Sequence, residues 1–276
     1  MISDTNARLV AARRLTRRQP RHEAGRFLAE GAQAVREALG RSKVVISIFA
    51  TTEAIERNTE LVEAARTLGT RVDEISVRAS AALSETVRPQ GIVAVCRKVH
   101  VPLRKAFDAE PRLVAVLVDA NDPGNAGTIL RTADAAGAKT VIFAGDSVDL
   151  YNGKVVRASA GSIFHIDVVS DVSADDAVTA ARAAGCTVLA ATGGGADNLD
   201  DLISGHALEK PTAWLFGNEA NGLPRDVIDS ADRSVSVPVY GDAESLNVAA
   251  AAAVCLYSSA RALAYPPESN SRTTAR

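Results

Sequence analysis

The 276-residue chain reads as an α/β protein of two units, and three observations carry that reading. Short runs of Val, Ile, Leu and Ala alternate with amphipathic stretches along most of its length. The alternation breaks at Pro102–Pro111, a stretch of mixed charge with a proline at each end, and then resumes. The first run after the break, Leu113–Asp119, is apolar almost throughout, as a fully buried strand would be. At 47% hydrophobic and 23% charged residues, the chain has enough apolar content for a full core.

The order of elements follows from the same signals. Residues 1–22 form a basic N-terminal segment. Arg8, Arg13, Arg14, Arg17, Arg18, Arg21 and Arg26 crowd the first 26 positions, against Asp4 and Glu23, so a local cationic arm or helix could meet phosphates although net charge is −2. Arg26–Gly31 is a short strand ending in a turn, and Ala32–Leu39 a helix. Val44–Phe49 is a strand; Thr59–Leu68 is a helix stopped at Gly69. Val72–Ile75, Ala79–Leu83 and Ile92–Val95 complete the first unit as strand, short helix and strand. Residues 101–111 are the linker.

In the second unit the turn Asp122–Pro123–Gly124 leads into a helix stopped at Gly137, with Asn125 as its expected N-cap. Ile129, Leu130, Ala133 and Ala136 share one side of this helix, and Thr128, Arg131 and Asp134 the other. Arg131 thus points away from the packed face, near the end of a strand, where open α/β sheets bind ligands. An ion pair with Asp134 is the bland alternative. Thr140–Ala144 is a strand, Lys154–Ala160 a short helix containing Arg157, and Ser162–Val169 a strand after Gly161. Ser173–Ala184 is an amphipathic helix, Thr187–Ala191 a strand and Gly193–Gly195 a flexible loop. A strand beginning at Ala213 runs into Gly217, Asn218 and Glu219, where a carboxylate needs a partner or solvent. Ser245 or Asp242 is expected to cap a last helix, with Asn247 in its first turn, running to about Ala264. The tail, residues 266–276, has little apolar content and is expected to be disordered.

Several function classes are excluded or disfavoured. No apolar run is long enough to span a membrane. Cys96, Cys186 and Cys255 are far apart and in apolar surroundings, which suits buried thiols in a reducing cytoplasm. His22, His100, His165 and His206 show no metal-ligand spacing, so no metal is expected. No G-x-G-x-x-G follows a strand, which disfavours a nicotinamide-dependent oxidoreductase.

Three stretches of the second unit together resemble the signature motifs of the SpoU (TrmH-type) RNA ribose methyltransferases of the SPOUT superfamily. They are Asn125-Ala-Gly-Thr-Ile-Leu-Arg131; Leu215-Phe-Gly-Asn-Glu219 with Gly222-Leu223; and Val237-Pro-Val with Ser245-Leu-Asn247. Each is weak alone, but their order and spacing match. Arg157–Ser162 matches a further family pattern, and Ala220 stands where a glycine is frequent. The first unit, residues 23–100, resembles the L30e-like substrate-binding domain often attached in this family, the likeness lying in residues 23–95.

The resemblance implies an α/β knot over residues 112–265, S-adenosylmethionine as cofactor, a homodimer with sites completed by both subunits, and methyl transfer to a ribose 2′-hydroxyl of RNA. It makes Arg131 the catalytic residue, with Asn125, Glu219, Ser245 and Asn247 around it. A guanidinium is a donor with no acceptor lone pair, so stabilising the forming alkoxide is the expected role rather than proton abstraction. Glu219 could hold Asn125, Arg131 or the cofactor's amino group. The cofactor would lie among Leu215, Phe216, Gly217, Asn218, Val237, Pro238, Val239, Leu246, Asn247 and Ala249. Arg157, Arg26, Arg17 and Arg18 are the expected substrate contacts. 23S ribosomal RNA, in the manner of thiostrepton-resistance enzymes, is the expected substrate; a transfer RNA, or a catalytically silent RNA-binding protein, are the alternatives.

Overall fold

The computed structural model describes residues 1–264; the expected tail at 266–276 lies outside the described residues. In the first unit, β1 (Arg26–Glu30), β2 (Val45–Ala50), β3 (Arg71–Glu74) and β4 (Ile92–Arg97) form a four-stranded sheet of order β1-β4-β2-β3. β4 runs antiparallel to both neighbours, and β2 pairs parallel with β3.

The second unit is a seven-stranded sheet whose paired strands are all parallel. Its strands are β5 (Leu113–Val118), β6 (Thr140–Ala144), β7 (Asp167–Val172), β8 (Thr187–Ala191), β9 (Asp197–Asn198), β10 (Thr212–Phe216) and β11 (Arg233–Ser236). The order is β7-β6-β5-β10-β8-β11-β9. Parallel strands covered on both faces need apolar residues at every position, which is why β5 reads Leu-Val-Ala-Val-Leu-Val and is buried throughout. Successive residues feed opposite layers. Leu113, Ala115, Leu117, Trp214 and Phe216 enter one core; Val114, Val116, Val118, Ala213 and Leu215 enter the other.

The first layer is covered by helices Pro123–Ala135, Gly153–Ala158 and Val248–Ala264, and the second by Ala174–Ala183 and Arg225–Ser230. Buried Trp214 donates its Nε1 hydrogen to Ser259 Oγ at 2.9 Å, tying β10 to the last helix. Gly127 is where helices Pro123–Ala135 and Gly153–Ala158 meet. A Cβ there would lie 2.6 Å from both the Val155 carbonyl oxygen and the Ala158 Cβ.

The two units share one core. Phe27 of β1 packs on Tyr151 with ring centroids 4.6 Å apart and on Phe164 at 6.0 Å. The Tyr151 hydroxyl accepts the backbone N–H of Val99 and His100, each at 2.8 Å.

Several expectations are corrected. Of the two forms expected for residues 1–22, arm or helix, the structure has the second: helices Ala7–Arg14 and Arg18–Ala24 pack on the first unit, and Leu9, Ala12 and Leu15 are buried. The 101–111 stretch is no loose linker, since Val101 and Ala106 are buried beneath the second sheet and Val101 N–H bonds Val168 O at 2.9 Å. The segment Ser162–Val169 does not start as a strand. Gly161, with φ of +102°, opens a 3-10 turn over Ser162–Phe164, and β7 begins only at Asp167.

Candidate active site at the ends of the parallel strands

The loops following β5 and β10 meet the start of the last helix at the C-terminal edge of the sheet. The helix after β5 is capped by Asp122, not by Asn125: Asp122 Oδ1 accepts Asn125 N–H at 2.8 Å. Pro123 decides this, because its fixed φ suits the first helical position and places the cap one residue earlier. The Asn125 backbone amide, helped by Lys154, holds the Asp122 carboxyl below the usual carboxylate range against the opposing effect of burial. Asn125 therefore stands in the first turn with its side chain free for other bonds.

Those bonds join the three motifs. Glu219 Oε1 accepts from Asn125 Nδ2 at 3.2 Å and from Asp122 N–H at 3.3 Å, while Oε2 accepts Asn121 N–H at 3.4 Å. Of the partners left open for Glu219, Asn125 is the one it bonds here, together with two backbone amides of the same loop. Asn247 Nδ2 donates to Asn125 Oδ1 at 3.2 Å. Asn247 is also the cap of the last helix, its Oδ1 accepting Ala249 N–H at 2.9 Å. That helix starts at Val248, so neither Ser245 nor Asp242 caps it, and Asn247 precedes its first turn. Asn218 Nδ2 donates to Asp119 O at 2.8 Å, binding the β10 loop to the end of β5.

Gly217 permits the tight turn that carries Glu219. A Cβ there would sit 2.3 Å from the carbonyl carbon of Gly222, whose N–H and C=O exchange bonds with Asn218.

Arg131 lies one and a half turns beyond Asn125. It is exposed and forms no ion pair or side-chain hydrogen bond among the described residues. Asp134, its expected bland partner, is instead bound to His165 Nδ1 at 2.7 Å, and His165 Nε2 reaches Glu37 of the first unit at 3.1 Å.

Beside the network a cleft of about 290 Å³ opens between the ends of β8 and β10 and the β11–last helix loop. Phe216, Gly217, Asn218, Val237, Val239 and Leu246 line it, as does Ser245. Leu215 does not; its side chain is in the opposite core, one strand position out of phase. Ala249 is on the buried face of the last helix, and its neighbours Val248 and Ala251 line the cleft instead. Pro238 and Asn247 are likewise not among its lining residues.

Sequence reasoning missed Ala191, Thr192 and Gly193, which form the wall at the end of β8. Their signal was a glycine run directly after a buried strand, the position where α/β sheets bind ligands. The cleft's lining is mostly small and apolar side chains, with the carboxylates of Glu219 and Glu244 also on it. That suits S-adenosylmethionine, whose adenine edge can be read by backbone amides and carbonyls and whose apolar faces need shallow walls.

The expected substrate contacts divide. Arg17, Arg18 and Arg26 are exposed and form no ion pair among the described residues. Arg157 contacts Glu30 at 3.2 Å and Glu85 at 3.9 Å, which favours a structural tie between the units over a phosphate contact. Arg21 is buried and bonded to Asp149 at 2.6 Å and to the carbonyls of Leu15 and Thr16. Arg8 pairs with Asp73 at 3.2 Å.

The model of the SpoU rRNA Methylase family matches residues 112–257, and that of the RNA 2′-O ribose methyltransferase substrate-binding domain matches residues 28–102. The chain is 34% identical to the 23S rRNA (guanosine(2553)-2′-O)-methyltransferase RlmP of Bacillus subtilis, over 92% of this chain and 96% of that protein. It superposes on the AdoMet-bound rRNA methyltransferase from Sinorhizobium meliloti with a TM-score of 0.80, at 30% identity, covering 95% of this chain and 97% of that one. The SpoU methyltransferase AviRb from Streptomyces viridochromogenes, in complex with AdoMet, gives a TM-score of 0.79 at 32% identity over 93% and 98% of the two chains.

Proposed function

The chain belongs to the SpoU rRNA methylase family, and we propose that it transfers a methyl group from S-adenosylmethionine to a ribose 2′-hydroxyl of 23S ribosomal RNA in the cytoplasm. The observation that carries this reading is the bonded chain Glu219–Asn125–Asn247. It draws three sequence-distant motifs together beside a cleft fitted to the cofactor and leaves Arg131 unpaired.

S-adenosylmethionine, when bound, supplies an electrophilic methyl on a sulfonium. The residues of this chain have the other half of the task, since a ribose hydroxyl is a poor nucleophile. Glu219 fixes the Asn121–Asn125 loop through two amides and one side chain, so the helix bearing Arg131 starts from a set geometry. The Arg131 guanidinium donates hydrogen bonds to the 2′-oxygen as negative charge develops on it, and to an adjacent phosphate, while the hydroxyl proton passes to solvent water. Asn247 couples this loop to the segment that walls the cofactor cleft.

The working unit is a homodimer. Support comes from the last helix, which exposes Ala250, Val254, Tyr257 and Arg261 at helical spacing beside the Arg131 helix. A Val254→Asp variant is expected to sediment as a monomer and to lose activity.

Two measurements test the function. Isothermal titration should show S-adenosylmethionine binding one site per chain. Mapping of 2′-O-methyl positions in 23S rRNA from cells with and without the gene should reveal one site that depends on it. No binding, or an unchanged map with a new methyl in transfer RNA instead, would overturn the 23S assignment.

A further inference from the structure

A second cleft, larger than the one described, opens where the two units meet. It encloses about 830 Å³ at the C-terminal ends of β6 and β7. One wall carries Arg18, His22 and Lys98; the other carries Asp146 on the loop after β6 and Asp171 near the end of β7. The neighbouring Asp149 is consumed by Arg21, but Arg18, Lys98, Asp146 and Asp171 form no ion pair among the described residues. Lys98 Nζ sits 5.1 Å from the centre of the Tyr151 ring, an attraction that holds the ammonium at the cleft.

The cleft adjoins the reacting loop. Its wall residue Val148 donates its N–H to Ala120 O at 2.8 Å, and Ser147 Oγ accepts Ala120 N–H at 3.1 Å. Ala120 directly precedes the Asn121–Asn125 loop. Asp119, held at a φ of +51°, accepts Asp146 N–H at 2.8 Å from the same turn. The cleft wall and the start of the Asn121–Asn125 loop are thus bonded to each other, which puts this space next to the site.

Its charges restrict how a strand can lie. Phosphates are attracted to Arg18 and Lys98 and repelled by the two carboxylates. A nucleotide fits with its phosphate on the cationic wall and its base edge on the acidic wall. Carboxylates accept only, so they favour bases with an exocyclic amino group and disfavour uracil, whose single N–H lies between two carbonyls.

We propose that this inter-unit cleft is a subsite for a nucleotide flanking the methylated one, with its phosphate on Arg18 and Lys98 and an amino-bearing base on Asp146 and Asp171. The proposal rests on the methyltransferase reading and adds a base preference that the family assignment does not contain.

The test uses the full chain and two probes, an unmodified 23S rRNA transcript and fluorescent hexacytidylate against hexauridylate. Lys98→Glu and, separately, Arg18→Glu should raise the KM for the transcript about tenfold and lower the slope of log affinity against log salt by about one. S-adenosylmethionine affinity should stay unchanged, which shows that the variants fold. Wild type should bind hexacytidylate several-fold more tightly than hexauridylate, and Asp146→Asn with Asp171→Asn should bring the ratio near one. Lys98→Met, with no reversed charge, should lie between wild type and Lys98→Glu. Equal binding of the two hexamers by wild type, or an unchanged transcript KM and salt slope in both charge reversals, overturns the subsite. If wild type binds S-adenosylmethionine yet methylates no RNA, the function fails instead, and the hexamer ratio still reads the cleft.

Discussion

The edge of the parallel sheet and the seam between the two units use the same residue types to opposite ends. At the seam, charges cancel: Arg21 meets Asp149, Arg157 meets Glu30 and Glu85, and His165 lies between Asp134 and Glu37. At the edge, polar side chains bond one another through Glu219, Asn125 and Asn247, while Arg131 is left without a partner. Arg18 and Lys98 form no ion pair among the described residues either, though they lie at the seam's open end. An arginine with a carboxylate already in hand stabilises the fold, and one without is available to a substrate. The seam even serves the edge, because His165 engages the aspartate that would otherwise compete for Arg131.

The sharpest way to break this contrast is to remove a paired arginine and an unpaired one. Arg21→Ala strands Asp149 and two carbonyls in a buried place, so denaturant unfolding should show a loss of about 3–5 kcal/mol. Arg131→Ala should leave stability within about 0.5 kcal/mol of wild type, as for an ordinary surface change. Its single-turnover methylation should instead fall by about 10²–10³, the scale of a lost donor to a developing oxyanion. Arg131→Lys keeps the charge and loses the fork, so its rate should fall while the basic limb of its pH–rate profile stays in place. A limb displaced by several pH units would assign proton abstraction to Arg131.

Asn247 joins cap and network, and Asn247→Ala should cost about 0.5–2 kcal/mol in thermal unfolding from the lost cap. Its methylation rate should drop by more than its stability explains, because Asn125 loses a donor.

The smallest effect belongs to His165. Burial alone would lower its pKa, but the bonds to Asp134 and Glu37 outweigh this and raise it above 6.5. A raised folded value means that the clamp's stabilisation is complete below about pH 6.5 and is lost as pH climbs through the folded pKa. The melting temperature of wild type should therefore fall, relative to His165→Gln, as pH rises from about 6.5 through the folded pKa. The shift should be slight, since the imidazole is 42% exposed. Parallel pH curves for the two proteins would remove the clamp.

How far the sequence disclosed this arrangement depended on the physics of each part. β5, β6, β8 and β10 were legible because doubly covered strands must be apolar at nearly every position. Short polar pieces such as Asp197–Asn198, Leu199–Ser204 and Arg225–Ser230 carry no such signature and were missed. The caps were misassigned by two to five residues, since Asp122 and Asn125, or Asp242, Ser245 and Asn247, are all good caps, and geometry alone chooses among them. The motifs located Asn125, Glu219 and Asn247 and offered Asn125 among the partners of Glu219, but gave no sign of the Asn247–Asn125 bond. The arginines were least legible. Nothing in the spacing of Arg17, Arg18 and Arg21 shows that the third meets an aspartate 128 residues away while the first two remain free. This also changes how the basic segment is to be tested. Deleting residues 1–21 would remove the buried Leu9, Ala12 and Leu15, so charge changes at Arg17, Arg18 and Arg26 are the cleaner probe.

The central claim is that a free arginine at the sheet edge drives methyl transfer to a ribose oxygen. Its most direct measurement is transfer of labelled methyl from S-adenosylmethionine to unmodified 23S rRNA, followed by alkaline hydrolysis, for wild type and Arg131→Ala. The account predicts label in a single alkali-resistant dinucleotide with wild type, and almost none with Arg131→Ala despite normal cofactor binding. Label on a base, or undiminished labelling by Arg131→Ala, would contradict it.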